Sequence, residues 1–311
     1  MESLLENPKY PPYLKLLPLI HQGKVRDTFG HTTTHGTMLV VATDRISTHD
    51  IVHSNLIPGK GEILTAMTIF WMREAFQNIP HHIVAYGKDI YDHLPDDALY
   101  PEDLHLRGLI VKELDMVPRE FIFRARMGGS VWNKYYSRGL GNPYGVDFPE
   151  GLRLMDELSP IAFTPTEKSA TDDPVNARHT ESLYPQEMEL ARRVYYLGRE
   201  YALKRGIDII DFKCEVGRDK DGKAKIGDEW LNGDCCRLVK SSDIVIGQNP
   251  PWMDKQVFRD DAERQWAEMG GEKVPLTFSP KIVADGIHAY DTAFEMLTGG
   301  TLESFQDEYL N

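Results

Sequence analysis

The chain contains little cysteine and no long apolar run, and both absences restrict what it can be. Its three cysteines, Cys214 and the adjacent Cys235 and Cys236, are too few for a disulfide framework and form no CxxC metal motif. Sparse cysteine suits a reducing compartment, so we expect a cytoplasmic protein. No apolar run approaches the roughly 20 residues that a membrane-spanning helix requires. The N-terminal residues lack the pattern of a secretory signal, and we expect no membrane association.

The chain also lacks an excess of positive charge. Its 35 basic and 48 acidic residues give a net charge of −13, which argues against general binding to nucleic acid. An anionic ligand therefore requires a local cluster of basic residues. The composition of the 311 residues, 41% hydrophobic and 27% charged, is that of an ordinary globular protein, and the length predicts two lobes. The sequence leaves open whether the chain is a monomer or a homodimer.

Strand and helix patterns alternate along the chain without a βαβ rhythm, which predicts an α+β fold. Helical periodicity covers residues 63–78, 185–205, 254–268 and 280–298. The segment 128–173 is rich in Gly, Pro, Thr and Tyr, and its length predicts a functional loop region. We expect an N-terminal lobe of antiparallel strands over residues 1–114 and a larger α+β lobe over residues 115–311.

Two acidic residues in the second lobe are predicted to face one another. Asp221-Gly222 is a two-residue hairpin signal between the strand-like runs 209–217 and 224–230. In the register set by this turn Glu215 lies opposite Asp228, with Cβ atoms roughly 5 Å apart. Mg²⁺ would remove the repulsion, since it accepts one or two carboxylates together with phosphates and water. Two solvated carboxylates on a hairpin rim are the alternative that this spacing leaves open.

Basic residues accompany glycine or acidic residues at two places in the first lobe. Gly23 begins a strand on which Lys24 and Arg26 share one face, an arrangement that can cover phosphate groups. Asp44 and Arg45 follow an apolar strand, where loop-borne binding groups usually lie. The alternatives are a glycine turn with solvated basic residues and an internal Asp–Arg pair.

A third basic segment lies in the second lobe. Arg124 and Arg126 alternate on one strand, and the turn Gly128-Gly129-Ser130 follows. Guanidinium groups match carboxylate and phosphate bidentately, and such a turn presents backbone N–H groups to an anion. The segment therefore predicts an anion site, with a basic edge strand as the alternative.

Taken in order, these segments resemble the SAICAR synthetase family. The resemblance covers about residues 20–260 and includes GKVRD, ATDRIS, PGKGEILT, GGSVW, FTPT-x-K, DFKCEVG, GDEWLNGD-x-x-R and MDKQVFRD. It implies an α+β fold in which ATP lies in the cleft between an N-terminal antiparallel-sheet lobe and a larger C-terminal lobe. It also implies an ATP-dependent ligase of purine biosynthesis. That enzyme joins the carboxylate of 5-amino-1-(5-phosphoribosyl)imidazole-4-carboxylate (CAIR) to L-aspartate.

The resemblance implies roles for individual residues as well. Glu215 and Asp228 would hold Mg²⁺, and Lys213 would act beside them in catalysis. The residues implied for ATP are Gly23, Lys24, Arg26, Lys112 and Glu113. The residues implied for CAIR or L-aspartate are Asp44, Arg45, Arg124, Ser130, Lys168, Asp173 and Arg237.

The sequence departs from the family pattern at substrate-facing positions. Gly128 replaces a usual threonine, Cys235 and Cys236 replace two serines, Asp172 replaces a histidine, and His49 replaces an aromatic residue. These departures leave open a related ligase with another carboxylate and amine. An ATP-binding regulatory module is a further alternative, against which the intact pair Glu215 and Asp228 argues.

Overall fold

The computed structural model describes residues 17–30, 32–96, 100–169 and 171–311. Residue contacts divide the chain into two units. The first comprises the described residues up to Phe70 together with His82–Glu113 and Lys255–Asn311, and the second comprises Trp71–His81 and Leu114–Asp254. The predicted lobes, 1–114 and 115–311, stay a prediction. They do not coincide with these units, since the C-terminal segment belongs to the first unit.

The described residues form antiparallel strands and α-helices, which confirms the predicted α+β class. The strands are β1 Leu19–Gln22, β2 Arg26–Phe29, β3 Thr37–Ala42, β4 Arg45–Thr48, β5 Ile51–Leu56, β6 Ile83–Tyr86, β7 Gly108–Lys112, β8 Asp115–Met116, β9 Arg119–Arg126, β10 Glu157–Phe163, β11 Thr166–Glu167, β12 Ile207–Arg218, β13 Ala224–Gly227 and β14 Cys236–Lys240. The helices are α1 Lys60–Glu74, α2 Leu104–Arg107, α3 Ala177–Leu183, α4 Pro185–Leu203, α5 Gln256–Glu268, α6 Pro280–Thr298 and α7 Leu302–Tyr309.

The first unit is built on a five-stranded antiparallel sheet with the order β1-β2-β3-β7-β6. Alternate residues of its strands are fully buried, among them Phe29, Leu39 and Ile110, and they form one apolar core with Ile90. Strands β4 and β5 form a separate hairpin. The sequence did not predict this hairpin, because its turn, at His49 and Asp50, has positive φ at both positions without a glycine.

The second unit is built on a seven-stranded sheet in which the long strand β12 pairs with β9, β13, β14 and β8. Helix α4 covers this sheet because its apolar stripe faces β12. The buried Tyr195 ring lies parallel to Phe123 and Phe212, and its hydroxyl donates to Ile209 O at 2.7 Å. This packing fixes the face of β12 that carries the candidate site residues.

Several predicted elements are confirmed and others are corrected. Helices α4, α5 and α6 match their predicted ranges to within about two residues, while α1 begins and ends earlier than residues 63–78. The prediction of a loop over the whole of residues 128–173 is wrong, since β10 and β11 lie in this segment and pair with β9. No helix in the described part of the chain has the length and apolar character needed to cross a membrane.

Candidate active site

The hairpin of β12 and β13 carries the two carboxylates that the sequence singled out. Its loop is Lys220 to Gly222, because the N–H of Gly222 donates to Asp219 O (2.8 Å) and the N–H of Asp219 donates to Lys223 O (3.0 Å). Gly222 has a φ of +74°, the left-handed conformation that follows a type I turn in a three-residue hairpin. Asp219 Oδ1 also accepts the N–H groups of Asp221 (3.0 Å) and Lys223 (2.9 Å).

This loop shifts the pairing by one residue from the predicted register. Glu215 lies opposite Gly227, and Gly217 lies opposite Lys225. The predicted two-residue turn and the predicted pairing of Glu215 with Asp228 are therefore wrong. Asp228 follows β13 directly with a φ of +56°. Its negative charge nevertheless raises the pKa of Glu215, so the two carboxylates do lie near one another.

Two lysines compensate this concentration of negative charge. Burial raises the pKa of Glu215, and Asp228 raises it further, while an ion pair from Lys168 Nζ to Glu215 Oε2 opposes the rise. Lys213 Nζ lies 2.5 Å from Oε1 of the buried Glu120. Burial acts to lower the pKa of Lys213, but the carboxylates of Glu120, Glu215 and Asp228 outweigh it and raise the pKa. Lys213 therefore remains a cation throughout the physiological range.

The donor set of this cluster fits Mg²⁺. Glu215 and Asp228 supply carboxylate oxygens, and their mutual repulsion disfavours the charged form of Glu215. Within the described ranges, no group of three or more His, Cys, Asp and Glu side chains is arranged to hold a metal. Two carboxylates with the remaining positions filled by phosphate and water is the coordination that Mg²⁺ prefers. The metal itself stays a prediction.

A second charged cluster crosses three strands of the same sheet. Asp211 of β12 lies opposite Arg124 of β9 on one side and opposite Arg237 of β14 on the other. One oxygen, Asp211 Oδ2, accepts from both guanidinium groups, with Arg237 Nη1 at 2.6 Å. Arg124 is buried, which lowers its pKa, and its remaining donors bond Thr164 Oγ1 (2.9 Å) and Ser130 Oγ (3.0 Å). The structure thus brings together three residues that the sequence predicted for substrate.

The glycine turn after β9 lies against this cluster. Gly129 has a φ of +56°, and a Cβ atom there would lie 2.5 Å from Arg237 Nη1. The positive φ favours glycine here, and a larger residue would also displace the Arg237 guanidinium group. Arg126 does not join the Asp211 cluster. Its Nε donates to the buried Asp208 at 2.7 Å, and its Nη1 donates to Met155 O at 3.0 Å. This contact makes Arg126 a structural residue of the sheet.

In the first unit, Arg45 binds the loop that precedes β2. Its guanidinium group forms a two-pronged ion pair with the fully buried Asp27, with distances of 2.6 and 3.0 Å. The same group donates to Gly23 O (3.0 Å) and Lys24 O (3.2 Å). Thr43 holds the next carbonyl, Val25 O, through its N–H and its hydroxyl. Three successive carbonyl oxygens of the loop thus point toward the β4 side.

The other predicted residues of the first unit have diverse surroundings. Lys24 is half-exposed and pairs with Asp50, while Arg26 begins β2 and lies opposite Ala42 of β3. Asp44 Oδ1 accepts the N–H of Gly61 at 3.0 Å, so it caps the start of α1. Lys112 ends β7 and Glu113 follows it. Both residues are exposed, and their N–H groups bond His82 O and Gly36 O respectively.

The structure also reveals charged residues that the sequence patterns had not singled out. Asp211 and Glu120 hold the predicted cations Arg124, Arg237 and Lys213, and Asp27 holds Arg45. Asp211, Lys213 and Glu215 alternate along β12, a period-two signal that could have identified Asp211. Glu120 alternates with Arg124 along β9 and carries the same signal, whereas Asp27 had no comparable one. Asp173 is exposed and accepts from Thr171 Oγ1 at 2.6 Å, in the loop after Lys168.

The fold is similar to that of solved structures described as SAICAR synthases. A structure described as SAICAR-synthase from Saccharomyces cerevisiae complexed with SAICAR superimposes with a TM-score of 0.79 at 32% identity, covering 92% of this chain and 96% of that one. A SAICAR synthetase (Type-2) in complex with ADP has a TM-score of 0.62 at 21% identity, covering 90% and 98%, and supports the fold alone.

Sequence comparison agrees along nearly the whole chain. The SAICAR synthetase family model matches residues 19–273. A phosphoribosylaminoimidazole-succinocarboxamide synthase of Thioalkalivibrio sulfidiphilus is 35% identical, covering 96% of this chain and 100% of the relative. The corresponding protein of Saccharomyces cerevisiae is 33% identical, covering 89% and 94%. The chain belongs to the SAICAR synthetase family.

Proposed function

We propose that this protein is an ATP-dependent ligase of purine biosynthesis that joins CAIR to L-aspartate, giving SAICAR, ADP and phosphate. The observation that carries the proposal is the cluster of Glu215, Asp228, Lys168 and Lys213 in a chain of the SAICAR synthetase family. Relatives with the corresponding enzyme name match it over nine-tenths or more of their own length. The reducing environment implied by three unpaired thiols supports a cytoplasmic location.

The reaction requires a carboxylate to become an electrophile. An oxygen of the CAIR carboxylate attacks the γ-phosphorus of ATP, ADP leaves, and an acyl phosphate forms. The amine of aspartate then attacks the acyl carbon, phosphate leaves with the electrons of the C–O bond, and the nitrogen loses a proton. A site for these steps must stabilise the transferring phosphoryl group and keep water from the acyl phosphate.

The residues of the β12 hairpin are suited to the first step. Glu215 and Asp228 would hold Mg²⁺, which neutralises charge on the phosphoryl oxygens and orients them. Lys213 is a cation under all physiological conditions and lies beside this pair. It would hold a phosphoryl oxygen or the reacting carboxylate. Lys168 is half-exposed and pairs with Glu215, and a ligand anion would replace that contact.

The remaining site residues would bind the substrates. Arg124, Ser130 and Arg237 form the anion site for the nucleotide phosphate or for aspartate. Gly23, Lys24 and Arg26 would cover the ATP phosphates, and Lys112 and Glu113 would lie against the adenine. Asp44 and Asp173 would contact substrate polar groups. Arg45 would act through the loop that it binds, because its guanidinium group already bonds Asp27, Gly23 and Lys24.

The test is ADP release by the purified protein with ATP, Mg²⁺ and CAIR and with each of a panel of amino acids. We expect release that depends on both CAIR and L-aspartate, with SAICAR as the product by mass spectrometry. Release with another amino acid, but not with aspartate, would instead favour the related ligase that the departures at Gly128, Cys235 and Cys236 leave open. Omission of CAIR is the control, since ADP formed without CAIR would come from a contaminating ATPase.

A further inference from the structure

Two adjacent thiols lie beside the Asp211 cluster. Cys235 Sγ and Cys236 Sγ are 3.9 Å apart, and both are free thiols. Cys236 is buried, whereas Cys235 is partly exposed. The Cys235 sulfur also accepts the N–H of Asn232 at 3.4 Å, which fixes its position beside its neighbour. The more accessible sulfur is thus held in contact with a second, protected one.

The backbone of this pair is bonded to the part of β12 that carries candidate site residues. The N–H of Lys213 donates to Cys235 O at 2.9 Å. Cys236 is the first residue of β14 and lies opposite Phe212. The next residue, Arg237, bonds Asp211 at 2.6 Å. A change in the geometry of the two cysteines must therefore be accommodated beside both Lys213 and Arg237.

We propose that Cys235 and Cys236 form a dithiol modification site that hydroperoxides oxidise to a reversible disulfide between the adjacent residues. Cys235 Sγ attacks the O–O bond, which breaks as an alcohol or water leaves, and the sulfur becomes a sulfenic acid. Cys236 Sγ then attacks that sulfur, the S–S bond forms, and the hydroxyl group leaves as water with the thiol proton. In total two thiols lose two protons and two electrons, and the hydroperoxide is reduced. Burial raises the pKa of Cys236, so Cys235 reacts first.

The disulfide between Cys235 and Cys236 is strained, and this strain acts on the neighbouring Asp211 cluster. Adjacent Cα atoms across a trans peptide are about 3.8 Å apart, below the roughly 4.4–6.8 Å usual in disulfides. The sulfurs must also approach from 3.9 Å to about 2 Å. The backbone of residues 235–236 must therefore move, and Arg237 moves with it. Strained disulfides are readily reduced, so a thiol restores the dithiol.

The expected effect on the KM for CAIR rests on the proposed function, whereas the oxidation of the two thiols does not. The intact protein is treated with a small molar excess of hydrogen peroxide and then analysed by intact mass and by peptide mapping without reduction. Half of the sample is treated with dithiothreitol before the KM for CAIR is measured. We expect a loss of two hydrogen atoms, located in the peptide with Cys235 and Cys236. The KM should rise at least about tenfold and return to its starting value after reduction.

Matched variants locate the effect. Cys235→Ser and Cys236→Ser should each abolish the disulfide and the KM response, whereas Cys214→Ser should retain both. Thiols that survive peroxide, or a sulfinic acid on Cys235 without an S–S bond, would overturn the proposal, as would a disulfide that leaves the KM unchanged. If the untreated protein shows no CAIR-dependent activity, the proposed function fails, and the mass measurement still decides whether the dithiol site exists.

Discussion

Arg45 and Asp27 form a buried two-pronged ion pair that joins β4 to β2, and the same guanidinium group binds two carbonyl oxygens of the loop carrying Lys24. A loop whose carbonyl oxygens are bound on one side presents fewer repelling oxygens on the other side, toward an approaching phosphate. The ion pair thereby connects the segment around Lys24 with the segment around Arg45, which were predicted from the sequence as two separate binding motifs.

Loss of this ion pair should reduce both stability and ATP binding. Arg45→Gln leaves the buried Asp27 carboxylate uncompensated, so we expect the free energy of unfolding to fall by about 3–5 kcal/mol. The KM for ATP should rise, because the loop before β2 loses its anchor. Urea unfolding and ATP-dependent kinetics measure the two effects. Lys24→Ala is the control for the stability measurement alone, since its exposed ion pair with Asp50 contributes under about 1 kcal/mol. An Arg45→Gln protein with unchanged ATP kinetics would contradict the anchoring role.

The metal assignment predicts a separation of activity from stability. Glu215→Gln and Asp228→Asn should each lower turnover at least about a hundredfold, because charge on the phosphoryl group is no longer neutralised. Stability without metal should not fall, since either change removes one of two repelling carboxylates. Thermal melts with and without Mg²⁺, together with turnover, test both parts. Near-normal turnover in either variant would disprove the metal role.

The two substrate regions should respond independently to mutation. Lys24→Ala should raise the KM for ATP and leave that for CAIR nearly unchanged. Arg237→Ala should do the reverse, because it removes one of the two guanidinium groups on Asp211. Separate titrations of ATP and CAIR show the contrast. Equal effects of both variants on both substrates would mean that the assignment of separate anion sites is wrong.

The amine donor should be selected by charge. Aspartate carries two carboxylates, and asparagine carries one, so asparagine leaves a cation of the site without its partner. Such a penalty is several kcal/mol, and we expect kcat/KM to favour L-aspartate by at least about a thousandfold. Phosphate release that depends on CAIR and ATP measures the ratio. Similar rates with the two amino acids would point to a ligase with another donor.

His53 should make the first unit less stable in acid. Its Nδ1 accepts the N–H of Leu276 at 3.1 Å, and burial lowers its pKa from 6.5 to about 4. The unfolded chain therefore binds more protons than the folded chain between these values, so stability falls as the pH falls through this window. At pH 5 the loss should reach about 2 kcal/mol relative to pH 7. We expect urea unfolding at pH 5 and pH 7 to show that His53→Gln loses about 2 kcal/mol less stability between the two pH values than the unsubstituted protein does.

Local patterns in the sequence predicted most elements but not the details that depend on side chains. The Asp221-Gly222 signal located the hairpin, yet the Asp219 carboxylate binds two loop N–H groups and favours a three-residue loop. The register of Glu215 changed accordingly. The long helices were predictable because their apolar periodicity extends over many residues.

The charged partners of the site could not be predicted in the same way. Arg124 and Asp211 are 87 residues apart in the chain, and only the pairing of β9 with β12 brings them together. Glu120 approaches Lys213 through the same pairing of strands. The sequence indicated which cations were present, whereas the pairing of each cation with its anion emerges only from the register of the sheet.

The anion site proposed at Arg124, Asp211 and Arg237 should also affect how quickly an anionic substrate arrives. Two guanidinium groups and one carboxylate leave one net positive charge, on a chain whose net charge is −13. At long range the protein repels the anion, and the cluster attracts it only within a Debye length, about 8–10 Å near physiological salt. Salt screens the distant repulsion more strongly than contacts with partly buried charges. Moderate ionic strength should therefore accelerate capture of the nucleotide, which is opposite to the behaviour of a basic protein.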